Sequence, residues 1–224
     1  FRKPDHQSEK KALTQPPVSL KNILKQTQWI SYMPSTYNPD AEDKLNPEDI
    51  RKDLPVLRSA GFNGLITYSS SGVMAQIPSL AKEAGFTHIL MGIWDPRNKS
   101  EIENAVKAAS LVNGYCIGHE GLFRKEYSKQ ELIQEMKEVR TKTGKPVTTS
   151  DNMSVIMNPQ NRDLLESCDW IFLIAYFMFD ENLKKKTPEK GLKWIRDMGK
   201  NTETELHLKK PVMFKEIGFP TAGE

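Results

Sequence analysis

Two cysteines in 224 residues are too few for a disulfide framework or a cysteine-built zinc site. Both, Cys116 and Cys168, sit inside apolar runs (NGYCIG and ESCDWIFL), where buried free thiols are expected. No uninterrupted apolar stretch approaches the ~18 to 20 residues of a membrane helix, so no membrane span is expected. No heptad, collagen-like or short repeat is present. The opening FRKPDHQSEKKALTQPP is polar and basic and lacks the apolar segment of an intact signal peptide, which leaves the compartment open. Neither charge dominates. With 32 basic and 29 acidic residues the net charge is +3, no footprint for a nucleic-acid partner, and KNILK and LKKK (Leu183 to Lys186) read as solvated faces. No G-x-G-x-x-G follows the first apolar run and no G-x-x-x-x-G-K-[ST] occurs, so dinucleotide and P-loop chemistry lose support. HEGLF lacks the second His of H-E-x-x-H, and His6, His88 and His207 are the only others, so neither metal nor organic cofactor is expected.

At 38% hydrophobic and 27% charged the chain fits one globular domain, and its apolar residues are regularly spaced. Seven short runs rich in β-branched and aromatic residues read as strands: Gln28 to Met33, Gly64 to Tyr68, Thr87 to Trp94, Gly114 to Gly118, Pro146 to Thr149, Trp170 to Tyr176 and Pro211 to Lys215. Helix-length segments separate them. Asn46 can cap a helix over Pro47 to Ala60, and Ser128 with Glu131 forms a capping box for one reaching Thr143. Gly61, Gly85 and Gly144 stop helices just before the next run.

Buried strands separated by helices demand a parallel sheet, and polar and aromatic residues gather at the strands' C-terminal ends, where a barrel builds its active site. The expected fold is therefore α/β, a (β/α)₈ barrel over residues 28–224 preceded by a polar segment, 1–27. Eight strands are required and only seven runs are present, so an eighth βα unit is missing from these residues. The seven-stranded remainder is expected to leave two unpaired edges beside the site.

Two carboxylates stand out at that mouth. GYCIGHEGLFR ends its strand on His119 and Glu120, and KPVMFKEIGFPTAG places Glu216 at the end of the seventh strand. Facing carboxyls can hydrolyse a glycosidic bond, one protonating the leaving oxygen while the other attacks the anomeric carbon. Tyr32, Tyr68, Trp94 and Tyr176 lie at neighbouring strand ends, either to stack on sugar rings or to close the upper core. Asp95 and Asp151 can bond sugar hydroxyls or cap helices.

These residues resemble the glycoside hydrolase family 17 β-glucanases over most of the chain. SYMP, ITYSS, ILMGIWDP followed by EIENAVKAA, IGHEGLFR, KPVTTSDN, DWIFLIAYF and EIGFPTAGE occur in the family's order. The resemblance implies Glu120 as general acid/base and Glu216 as nucleophile of a retaining mechanism. Tyr32, Tyr68, Trp94, His119, Tyr176 and Phe219 would line the substrate site. Its substrate would be a poly- or oligosaccharide with β-1,3 or mixed β-1,3/1,4 linkages, met by a monomer in an exported location. Four positions depart from the family: His119 replaces Asn, Ile66 replaces Arg, Ile217 and Phe219 replace Thr and Trp, and Ile174-Ala175 replaces His-Pro. Some members of that family transfer the glycosyl unit, so transglycosylation at the same site is one alternative, and the departures at His119 and Ile66 leave open a decayed carbohydrate-binding barrel as another.

Overall fold

The computed structural model describes residues 19–180 and 186–218. In chain order these form α1 (Leu20–Gln26), β1 (Trp29–Tyr32), α2 (Pro47–Ser59), β2 (Gly64–Thr67), α3 (Ile77–Glu83), β3 (His88–Ile93), α4 (Lys99–Lys107) and β4 (Gly114–His119). There follow α5 (Lys129–Thr143), β5 (Val147–Asp151), α6 (Met153–Ile156), α7 (Arg162–Ser167), β6 (Ile171–Ala175), α8 (Pro188–Leu206) and β7 (Val212–Ile217). All seven expected strands are present, and every pair is parallel in the order β1 to β7. Consecutive parallel neighbours need a helical crossover each time, and the right-handed hand of such units curls the sheet into a nearly closed (β/α) barrel of seven units. Within the described residues β1 and β7 are the sheet's two edges. Ser31 Oγ donates to the Lys215 carbonyl across the seam between them.

Helix boundaries follow the capping chemistry. Asn46 accepts from the amides of Glu48 and Asp49 at the start of α2, where Pro47 needs no donor. Ser128 and Glu131 complete their capping box on α5, and Gly144, at φ 66°, closes that helix in the left-handed region.

The strands alternate between two apolar compartments. Leu65, Ile89, Tyr115, Val147 and Leu173 face the helices, while Ile66, Leu90, Cys116 and Phe172 fill the barrel. The described part of the N-terminal segment is not separate from this barrel. Leu24 of α1 joins the interior cluster with Leu20 packed against it, and Trp29 Nε1 donates to the Leu24 carbonyl at 3.1 Å, so α1 packs on the barrel interior. Among the described residues no helix is long and apolar enough to cross a membrane.

Candidate active site

Two irregularities in strand pairing build the mouth. Along β4 and β5, Cys116 pairs with Thr148 but His119 pairs with Ser150, leaving one extra residue on β4. Gly118 absorbs the bulge at φ 78°, and a Cβ there would lie 2.3 Å from the Tyr127 hydroxyl, so only glycine fits. Strict alternation from Cys116 would turn His119 toward the helices; the bulge turns it inward. Glu120 follows at φ 53°, a left-handed turn held by its amide donating to the Ser150 carbonyl at 2.9 Å. On the other side, Leu173 pairs with Phe214 and Ile174 with Glu216, so Lys215 is the extra residue of β7. Lys215 and Glu216, adjacent in sequence, thereby both reach the site. β7 runs to Ile217, past the end expected at Lys215, and Glu216 sits inside the strand rather than beyond it.

His119 is the hub. Its Nε2 lies 3.3 Å from Glu216 Oε1, and its Nδ1 lies 3.0 Å from Lys215 Nζ and 3.1 Å from Ser150 Oγ. Tyr68 meets the imidazole edge-on at 5.3 Å between ring centroids, and Trp94 lies tilted at 4.9 Å. Burial, with the charges of Lys215 and Arg124 adding to it, pushes the imidazole down to about 3, so it is neutral at ordinary pH. The Tyr176 hydroxyl donates to Glu216 Oε2. Glu216 Oε1 is buried and accepts no hydrogen bond among the described residues, with the neutral imidazole's Nε2 3.3 Å away. Glu120 Oε2 takes a bond of 2.8 Å from Arg124, one helical turn on, whose guanidinium also lies 5.9 Å from the Trp94 ring centre.

Tyr176 bonds one carboxylate and feels the charge of the other. Burial raises its hydroxyl pKa most, then the bond to Glu216, then the charges of Glu216 and Glu120. The Tyr68 hydroxyl is also raised, by burial first and by Glu216 second. Tyr176 and Glu216 line a cleft of about 370 Å³ with Tyr68, while Tyr176 and Glu120 line an adjoining one with Trp194. Trp94 lines a third, of about 420 Å³, over the ends of β1 to β3 with Tyr37 and Ser69. The volumes fall in the range of small-molecule sites, roughly 300 to 1,000 Å³.

Of the residues singled out from sequence, Glu120, Glu216, His119, Tyr68, Trp94 and Tyr176 converge. Tyr32 does not join them. Its ring packs in the layer between sheet and helices, and its hydroxyl donates to Asp53 Oδ2 of α2 at 2.9 Å. Phe219 lies outside the described residues, as does most of the LKKK run. Asp151 and Asp95 are structural. Asp151, fully buried, accepts from the amides of Leu122, Phe123 and Asn152 at 3.0, 3.3 and 2.7 Å and so clamps the loop that carries Glu120. Asp95 pairs with Arg97 at 2.9 Å. The sequence reading missed Lys215, Arg124 and Glu101. The buried Glu101 carboxylate takes the amides of Ser70, Trp94 and Asp95 at 2.9, 3.3 and 3.0 Å, fixing the loops that carry Tyr68 and Trp94. Its spacing three residues after the cap Asn98 marked it only as a first-turn acid.

The near-closed parallel barrel thus brings a carboxylate from the end of β4 and one from β7 to the same mouth as Tyr176. The chain belongs to the family described as the BtgE/BtgC glycoside hydrolase domain, whose model matches residues 30–224. No curated protein sequence matches it. Among solved structures it is similar to the β-glucuronidase of Ruminococcus gnavus, at 14% identity and a TM-score of 0.54 over 80% of this chain and 35% of that one. It is also similar to a GH113 β-1,4-mannanase, at 12% identity and a TM-score of 0.53 over 87% of this chain and 73% of that one. The chain thus spans about a third of the glucuronidase. At such identities the likeness is one of fold.

Proposed function

We propose that this glycoside hydrolase is a retaining β-glucanase, cleaving β-1,3-linked or mixed β-1,3/1,4-glucan, with Glu216 as nucleophile and Glu120 as general acid/base. The observation that carries the reading is the convergence of the two carboxylates on Tyr176, whose hydroxyl bonds one and whose ionisation is opposed by both. Retaining pairs stand about 5 to 5.5 Å apart and inverting pairs about 6.5 to 9.5 Å, so this reading requires the closer spacing.

In the first step Glu216 bonds the anomeric carbon as the glycosidic bond breaks, and Glu120 gives its proton to the leaving oxygen. In the second, Glu120 takes a proton from water, whose oxygen attacks the same carbon and releases Glu216. Neutral His119 occupies the position where family 17 carries Asn, and its Nε2 side is where a 2-hydroxyl would approach the nucleophile. Trp94, Tyr68 and the partly exposed Tyr176 offer aromatic faces to sugar rings. Polymeric glucan places the substrate, and with it the protein, outside the cytoplasm.

Time-resolved proton NMR with a β-1,3-glucan oligosaccharide, run beside Glu216→Gln, tests the reading. New β-anomer appearing first, only with the unsubstituted protein, is expected. Products longer than the substrate would reassign it to glycosyl transfer. An α-anomer appearing first, full activity in Glu216→Gln, or no turnover of any β-glucan by folded protein would overturn it.

A further inference from the structure

A lysine inside a barrel is costly unless its charge is met, and Lys215 is only 4% exposed. Among the described residues it forms no ion pair with a carboxylate. An ammonium has three N–H donors and no lone pair. Lys215 spends them on His119 Nδ1 at 3.0 Å, on Ser150 Oγ at 3.1 Å and toward the face of Tyr68, whose ring centre is 4.5 Å from Nζ. A donor-only group at Nδ1 makes that nitrogen the acceptor, so the imidazole proton resides on Nε2, the atom 3.3 Å from Glu216 Oε1.

We infer that Lys215 is a positioning residue: its ammonium fixes His119 as the neutral Nε2–H tautomer, so that the atom 3.3 Å from Glu216 Oε1, which accepts no hydrogen bond in this structure, carries a proton rather than a lone pair or a full positive charge. The inference rests on the reading of Glu216 as the reacting carboxylate. Each alternative state of the imidazole would harm that carboxylate. The Nδ1–H tautomer would turn a lone pair on Oε1 and repel it, and an imidazolium would hold it in a salt bridge that attack on carbon would have to break.

The groups facing His119 come from every strand end around it. Lys215 and Glu216 belong to β7, Ser150 to β5, Arg124 to the loop after β4, Tyr68 to the end of β2 and Trp94 to the end of β3. Two cations oppose protonation of the imidazole and one carboxylate favours it.

The test is long-range ¹⁵N–¹H correlation NMR of histidine-labelled protein between about pH 5 and 8, with His119→Asn to assign the signal, beside kcat and KM on a β-1,3-glucan oligosaccharide. In the unsubstituted protein Nε2 is expected to carry the proton throughout, with no titration. Lys215→Met, shown folded by circular dichroism, is expected to populate the other tautomer or titrate within that range. Its kcat should fall roughly a hundredfold with KM little changed. Lys215→Gln, which keeps an N–H donor without the charge, is expected to recover the tautomer and part of kcat. An Nδ1–H signal in the unsubstituted protein, or an unchanged tautomer and kcat in Lys215→Met, would overturn the inference. If Lys215→Met fails to fold, the unsubstituted protein and Lys215→Gln decide the matter. If no β-glucan is turned over, the glucanase reading fails, while the tautomer still judges Lys215.

Discussion

Tyr176 reaches Glu216 from the neighbouring strand end and donates to its Oε2, leaving Oε1 to face His119. One oxygen of the carboxylate is thus held by a hydroxyl whose pKa is raised, and which therefore remains a donor across the working pH range. A Cβ at Gly218 would lie 2.4 Å from the Tyr176 ring, so the glycine two residues after Glu216 makes room for its partner.

Removing that hydroxyl tests what it contributes. Tyr176→Phe keeps the ring and deletes a hydrogen bond to a charged group, worth about 1.5 to 3 kcal/mol. A fall in kcat of about 10- to 100-fold is expected, measured on the same oligosaccharide, with the fold intact by circular dichroism.

Glu120 should be dispensable where the leaving group needs no proton. Glu120→Ala is expected to abolish cleavage of a natural glucan but to retain most of the first-step rate on an aryl glycoside with an acidic phenol. Equal loss on both substrates would remove Glu120 from the acid role.

His119 makes the protein sensitive to acid. Its folded value of about 3 lies below the ordinary 6.5, so the unfolded chain binds a proton that the folded chain refuses. Stability is full above about pH 6.5 and declines as pH falls toward 3, by at most ~1.4 kcal/mol per pH unit for one such group. His119→Asn, which also restores the family 17 residue, is expected to flatten this part of the slope. Urea unfolding midpoints at about pH 7 and about pH 5 for both proteins measure it.

Asp151 acts through the loop it clamps. Asp151→Asn turns an amide group toward backbone N–H donors and leaves at least one unmatched, at a cost of about 1 to 3 kcal/mol. Lower stability and lower kcat are expected together, although Asp151 serves the backbone beside Glu120. Unchanged kcat in a destabilised variant would separate the loop from the catalytic geometry.

Much of the architecture was legible along the chain because it rests on local rules. Short apolar runs rich in β-branched and aromatic residues marked all seven strands, Asn46 and Ser128 marked helix starts, and Gly144 marked a helix end. Each depends on neighbours within a few residues. Glu120 and Glu216 were legible as carboxylates near strand ends, although β7 runs one residue past Glu216. Tyr32 stood at an equivalent strand end, yet it faces α2, because a buried hydroxyl goes where an acceptor waits and Asp53 supplies one.

What the sequence determined by itself was the succession of βα units and the chemical character of their mouth. Only the tertiary structure decided which residues enter the site. A single extra residue, Gly118 on β4 and Lys215 on β7, reverses the facing of everything after it, and whether a strand accommodates that residue depends on the register of its partner strand. His119, Lys215 and Ser150 lie far apart in the chain, and they form one hydrogen-bonded cluster because closing the sheet brings β4, β5 and β7 around a common axis.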